Sequence, residues 1–129
     1  MKEIKIVIEK AKDGFFGAYA ENIEGIYGGG DTVNDVKNDI LNAIETLKGE
    51  GLFPYTDGEY RLAYRFDVAS LLENYKGVLT NAGIERLTGI NQRQMYQYAT
   101  GMKKPRAEQR KKIEVGLHKL GEELLTIEL

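Results

Sequence analysis

Four polar side chains at the start of one predicted helix are of the types that recognise nucleic-acid bases. Gln92, Arg93, Gln94 and Gln97 lie within six residues of one another, directly after the helix-capping residue Asn91. Gln forms paired hydrogen bonds with adenine and Arg with guanine, because each side chain presents two polar atoms in one plane. The N-terminus of a helix also attracts phosphate. The pattern therefore points to DNA recognition.

Basic residues are concentrated around that helix, although the whole chain is close to neutral. The 129 residues include 18 Lys and Arg against 20 Asp and Glu. Residues 1–66 hold 8 basic and 12 acidic side chains, whereas residues 67–129 hold 10 and 8. From Arg86 to Lys112 there are eight basic side chains and a single acidic one, Glu108. Such a block attracts phosphate, although a solvated helix face that binds nothing is a common alternative.

Few residues are suited to catalysis or metal binding. The chain has no Cys and one His, His118, which excludes thiolate zinc sites and cysteine nucleophiles. Asp31, Asp35 and Asp39 recur at the four-residue spacing of a helix face, which suits solvated charge better than a metal site. The Gly28-Gly29-Gly30 run lacks the later glycine of a nucleotide-binding loop, so we interpret it as a turn. We predict no catalytic residue, no metal, no cofactor and no enzyme activity.

The chain also lacks the apolar segments that direct proteins into membranes. No run approaches the ~18 apolar residues of a membrane span. Met1 to Lys12 alternates apolar and charged residues, unlike the apolar centre of a signal peptide. We expect a cytoplasmic protein with no membrane partner.

The first half has the pattern of a small sheet covered by one helix. Lys2–Lys10 and Tyr60–Phe66 alternate apolar and polar residues as strands do, and residues 15–21 follow an Asp-Gly turn. A short third strand is predicted over residues 25–28. From Thr32, an N-cap, apolar residues recur at helical spacing until Gly49 and Gly51 end the helix. The order ββ(β)αβ predicts an α+β domain with an antiparallel sheet.

The second half reads as all helix. The apolar period changes from two to about 3.6 residues near Asp67, so the two domains are predicted to cover residues 1–66 and 67–129. Asp67, Thr80 and Asn91 are suitable N-caps for three short helices. A long helix follows from about Arg106.

Residues 80–105 resemble the helix-turn-helix of Xre/Cro-type phage repressors. The resemblance lies in Gly89-Ile90-Asn91-Gln92-Arg93-Gln94-Met95, followed by Tyr98-x-x-Gly101-x-Lys103-Lys104-Pro105. Ile84, Leu87, Ile90, Met95 and Tyr98 have the spacing to fill the small core between the two helices. The resemblance implies that Gln92, Arg93 and Gln97 face bases and that Asn81, Asn91 and Lys103 lie near phosphates. Lys104 and Arg106, just after the motif, are expected to meet phosphates as well.

One position departs from that repressor pattern. The residue four before the turn glycine is usually small, and here it is Glu85. Either the two helices pack at a different angle, or the carboxylate reaches solvent, with Gly83 relieving the crowding.

Residues 1–66 resemble the HicB antitoxin domain. The matching segment runs from Gly14-Phe15-Phe16-Gly17 through Gly25-Ile26-Tyr27-Gly28-Gly29-Gly30-Asp31-Thr32, although two prolines usual in the family are absent. The resemblance implies a partial ribonuclease-H-like domain that neutralises a small basic HicA toxin, an RNA-cleaving protein. It also implies that the helix-turn-helix domain represses the operon of the pair. The excess of acidic residues in 1–66 agrees with a basic partner independently of the resemblance.

The sequence therefore predicts a two-domain, DNA-binding HicB-type antitoxin that forms a homodimer or a larger homo-oligomer. A stand-alone Xre-type repressor, whose first domain oligomerises or binds a small ligand, is the main alternative. A ribonuclease-H-type nuclease is a third, but the inward residues Ile4, Ile6 and Ile8 of the first strand offer no carboxylate for metal binding.

Overall fold

The chain forms two compact units, and a computed structural model describes all of residues 1–129. The first unit covers Met1–Asp67 and the second covers Val68–Leu129. The first is a mixed four-stranded sheet with one helix, and the second consists of four helices. The chain is thus of the α+β class.

The first unit has the predicted element order, but its sheet is mixed. Its elements are β1 (Lys2–Lys10), β2 (Phe16–Ala20), β3 (Tyr27–Gly30), α1 (Val33–Gly49) and β4 (Tyr60–Phe66). The strand order is β3-β2-β1-β4, and β4 runs parallel to β1 with Ile4 opposite Leu62. The prediction of an antiparallel sheet is therefore wrong for this pair. Since β1, β2 and β3 alternate in direction and α1 returns the chain, β4 runs in the direction of β1.

One face of this sheet and one face of α1 form the core of the first unit. Three alternate residues in the middle of β1 are fully buried, namely Ile4, Ile6 and Ile8. Val36 and Ile40 of α1 are equally buried and belong to the same cluster. Thr32 caps the helix as predicted, because its hydroxyl oxygen accepts a hydrogen bond from Asp35 N at 3.1 Å.

The three consecutive glycines form a strand and not the predicted turn. Gly28, Gly29 and Gly30 pair with β2 in strand β3. A Cβ on Gly28 would lie 3.2 Å from the Ile40 side chain, and one on Gly30 would lie 2.6 Å from Cβ of Asp35. The glycines are therefore needed because α1 passes close to this strand. Asp39 of α1 accepts a hydrogen bond from Gly29 N at 2.9 Å, which ties the edge strand to the helix.

The second unit consists of four helices around their own core. They are α2 (Val68–Tyr75), α3 (Asn81–Thr88), α4 (Gln92–Ala99) and α5 (Ala107–Leu124). Its buried cluster draws on all four helices and the turn between α3 and α4: Val68, Leu72, Ile84, Ile90, Met95, Tyr98 and Ile113. Each unit thus has a separate hydrophobic core.

Candidate functional site

The turn between α3 and α4 is fixed by local hydrogen bonds. Thr80 caps α3 through its hydroxyl, which accepts from Gly83 N at 2.9 Å. Gly89 ends α3 in the left-handed conformation, with φ of 78° and its N–H donating to Glu85 O. The Thr88 hydroxyl donates to Ile84 O and accepts from Ile90 N. The start of α4 is therefore held at a defined place relative to α3.

Glu85 links the two helices directly. A carboxylate oxygen of Glu85 accepts a hydrogen bond from Gln92 N, the first residue of α4, at 2.6 Å. Asn91 accepts from Gln94 N at 2.8 Å, as expected of an N-cap. The Glu85 carboxylate does not simply extend into solvent, as one of the two alternatives expected, because it accepts the N–H of Gln92 at the start of α4. One first-turn donor of α4, Gln92 N, is thus already paired with a carboxylate.

The core beneath the two helices is nearly as predicted. Ile84, Ile90, Met95 and Tyr98 are buried and belong to one cluster. Leu87 is the exception, since it is only half-buried and lies outside that cluster. A Cβ on Gly116 of α5 would lie 3.0 Å from Leu87 O, so Leu87 lies on the side of α3 that packs against α5.

The predicted base-facing and phosphate-facing residues of α3 and α4 divide into exposed and half-buried side chains. Asn91, Gln92 and Arg93 are exposed, whereas Asn81, Gln94 and Gln97 are half-buried. The Gln94 amide donates to the hydroxyl of the buried Tyr98 at 2.9 Å, so its NH₂ group already has a partner within the chain. Arg93 forms no ion pair within the chain and leaves its guanidinium free for a ligand.

Sequence reasoning missed Tyr96, which extends this exposed surface of α4. Its side chain is 56% exposed. It follows Arg93 by three residues and Gln92 by four, the spacings that place side chains next to one another on a helix. This spacing in the sequence could have indicated that Tyr96 lies beside Gln92 and Arg93. Gln92, Arg93 and Tyr96 thus form one surface, which we call the α4 outer face.

The basic residues after α4 lie on a well-defined loop. Gly101 has φ of 77°, and the N–H of Lys103 donates to Gln97 O at 3.1 Å. The Arg110 guanidinium donates to Pro105 O at 3.0 Å, which ties the loop to α5. Lys103, Lys104 and Arg106 are exposed and form no ion pair within the chain. Their positive charges are therefore accessible beside the C-terminal end of α4.

The first unit presents its negative charge entirely at the surface. All 12 Asp and Glu side chains of residues 1–66 are exposed. Of the basic side chains, Arg61 is paired with Glu3 on the neighbouring strand β1 at 2.9 Å, and Arg65 is paired with Glu21, just after β2, at 2.7 Å. Asp31 lies just before the N-cap of α1, Asp35 lies in its first turn and Asp39 one turn further along, and all three are exposed. This exposed carboxylate series is called the α1 acidic face below.

Lys48, at the end of α1, is surrounded by anionic and aromatic groups. Its ammonium lies 2.6 Å from an Asp57 carboxylate oxygen and 3.2 Å from Glu45. It also lies over the rings of Phe53 and Tyr60, at 5.6 and 5.4 Å from the ring centres. The hydrogen bond to Asp57, followed by the one to Tyr60, raises the pKa of the Lys48 ammonium well above its ordinary value. This lysine thus joins the end of α1 to the loop that precedes β4.

No group of three or more His, Cys, Asp or Glu side chains in the chain has an arrangement that could hold a metal ion. His118 is exposed on α5. None of the helices has both the length and the apolar character needed to cross a membrane.

Comparisons with protein-family models, curated proteins and solved structures found no match to this chain.

Proposed function

We propose that this chain is a HicB-type antitoxin with two roles. Its first unit, as a partial ribonuclease-H-like domain, binds and neutralises a basic, RNA-cleaving HicA-type toxin in the cytoplasm. Its second unit, as an Xre-type helix-turn-helix domain, binds operator DNA and represses the operon of the pair. The observation that carries the proposal is the α4 outer face, a polar surface without internal ion pairs beside a basic loop.

The chemistry of the α4 outer face favours duplex DNA as its ligand. An α-helix fits the major groove of B-DNA, where the guanidinium of Arg93 can donate two hydrogen bonds to a guanine. The Gln92 amide, exposed beside it, is suited to adenine. Lys103, Lys104 and Arg106 lie outside the helix and supply the phosphate contacts that fix its position on the duplex.

The surface charge of the first unit favours a basic protein partner. Because all of its carboxylates are exposed, the unit has an electrostatic field that attracts a basic protein and repels nucleic acid. Charge complementarity of this kind mainly accelerates association and makes the complex sensitive to salt. The α1 acidic face is the surface on which we expect the toxin to bind.

DNA binding is tested with duplexes from the region upstream of the chain's own gene. In gel-shift titrations at two salt concentrations, one such duplex should bind more tightly than a scrambled duplex of equal length. Binding should weaken steeply with salt, because bound lysines and arginines release counterions from the phosphates. If upstream and scrambled duplexes bind equally, the chain has no operator there and the repressor role fails.

Toxin binding is tested separately, by co-expression with a small basic protein encoded next to the chain. The two proteins should co-purify, and the chain should abolish RNA cleavage by that protein. Specific DNA binding without any such partner would favour the stand-alone repressor.

A further inference from the structure

The C-terminal end of α3 and one side of α5 enclose an open groove of about 450 Å³. Its floor is apolar, formed by Leu87, Val115 and Gly116. Val115 is 49% exposed, so this floor is open to an occupant. Gly116 creates the shape, because its missing side chain lets α5 approach the backbone at the end of α3.

The rim of this groove is basic. Lys111, Lys112 and Lys119 line it, against one carboxylate, Glu108. Lys111 lies 3.8 Å from Glu114, a long ion pair, and Lys112 and Lys119 form none within the chain. The groove therefore fits a segment that combines apolar side chains with carboxylates.

Residues 122–129 of the same chain have that composition. The segment contains three glutamates and no basic residue, and its apolar side chains are Leu124, Leu125, Ile127 and Leu129. These four are all exposed, Leu125 by 88%. Helix α5 ends at Leu124, and Ile127 N donates to Leu124 O, so the segment leaves the helix through a turn. The second unit thus has an exposed segment that is acidic and apolar. It also has an open groove that is basic and apolar.

We infer that residues 122–129 of one copy bind in the α3–α5 groove of a second copy, and the reverse, in a two-fold symmetric homodimer. Within a single copy the segment does not occupy the groove, because its apolar side chains are all exposed and Val115 on the groove floor is 49% exposed. Two reciprocal contacts between copies satisfy both surfaces. This inference does not depend on the proposed function.

The test reverses the charges of the groove and of the segment in separate full-length chains. The groove variant carries Lys111→Glu, Lys112→Glu and Lys119→Glu, and the segment variant carries Glu122→Lys, Glu123→Lys and Glu128→Lys. Sedimentation at micromolar concentration should show a dimer for the unmodified chain. Each variant alone should dimerise at least about tenfold more weakly, because like charges then face one another. An equimolar mixture of the two variants should recover the dimer, since its grooves and segments are complementary again.

A second test of the dimer replaces two exposed apolar side chains of the segment and changes no charge. Leu125→Ser together with Ile127→Ser should weaken the dimer by a similar factor without changing the thermal unfolding midpoint of dilute protein. A monomeric unmodified chain would overturn the inference. So would variants that dimerise normally, or a mixture of the charge variants that stays monomeric.

Discussion

Glu85 shows how one side chain sets the position of a whole helix. Its carboxylate accepts from Gln92 N at 2.6 Å, so the start of α4 is held from α3. The sequence shows that Glu85 lies four residues before the turn glycine. It does not show that Glu85 bonds to Gln92 N, because that contact depends on how α3 and α4 pack. The caps at Thr80 and Asn91, by contrast, involve residues three apart and were predictable from sequence alone.

Replacing Glu85 by Gln should lower the free energy of unfolding of the second unit. The substitution removes the negative charge beside the N-terminus of α4, which is worth about 0.3–1 kcal/mol. Urea unfolding of the full chain measures the change. Glu114→Gln is the matched control, since its carboxylate caps no helix and lies 3.8 Å from Lys111. Equal stability of the Glu85 variant and the unmodified chain would mean that the contact does not hold the helix.

Gly30 tests the explanation of the glycine strand. Gly30→Ala would place a Cβ 2.6 Å from Cβ of Asp35 and 3.1 Å from Val36 N, so α1 or β3 must shift. We expect a loss of about 1–3 kcal/mol, the usual cost of overpacking. The control is Gly17→Ala in strand β2, where a Cβ meets nothing within 4 Å. A Gly30→Ala variant as stable as the Gly17→Ala variant would contradict the close approach of the helix.

At the scale of elements, the sequence predicted the faces of strands and helices better than their directions. Alternation identified the fully buried residues Ile4, Ile6 and Ile8 of β1, because a side chain's face follows from its own position, but it did not indicate Val7, which is also buried. The direction of β4 depends on how the chain crosses the sheet, which alternation cannot show. Glycine runs predict a turn, and Gly28, Gly29 and Gly30 form a strand instead, because glycines without side chains show no apolar alternation.

Lys48 joins the end of α1 to the loop before β4, and this contact has a defined pH dependence. Its pKa is raised in the folded chain, chiefly by Asp57. Its contribution to stability is therefore fully present below the unfolded pKa of about 10.4 and is lost as pH rises through the higher folded value. Lys48→Met should lower stability by a constant amount between neutral pH and pH about 9, with the difference shrinking above the unfolded pKa. A difference that grows with alkaline pH in thermal unfolding would contradict this sign.

At the scale of the whole molecule, each unit has its own core and its own surface charge. The first unit buries Ile4, Ile6 and Ile8, and the second buries Ile84, Met95 and Ile113. The break lies next to the predicted one, since the first unit extends to Asp67. The acidic balance of residues 1–66 and the basic block after Arg86 are both properties of composition, so they were accessible to sequence reasoning. The groove on α5 was not, because it exists only once α3 and α5 are packed.

The two proposed roles should therefore separate when the chain is cut. Residues 1–67 alone should fold and inhibit the basic toxin, with association slowing as salt rises because the attraction is between exposed charges. Residues 68–129 should retain DNA binding. Pull-down of each fragment with the toxin measures this. Capture of the toxin by the second fragment alone would reverse the assignment of roles.

The most direct test of the account compares Arg93→Ala with Lys103→Ala in operator titrations at two salt concentrations. Arg93→Ala should cost about 1–3 kcal/mol of binding free energy on the operator and reduce discrimination at one base pair. Lys103→Ala should weaken operator and scrambled duplexes alike and reduce the slope of affinity against salt by about one. Both side chains are exposed, so neither change should alter folding. Unchanged affinity and base preference in the Arg93→Ala variant would contradict the claim that α4 reads DNA.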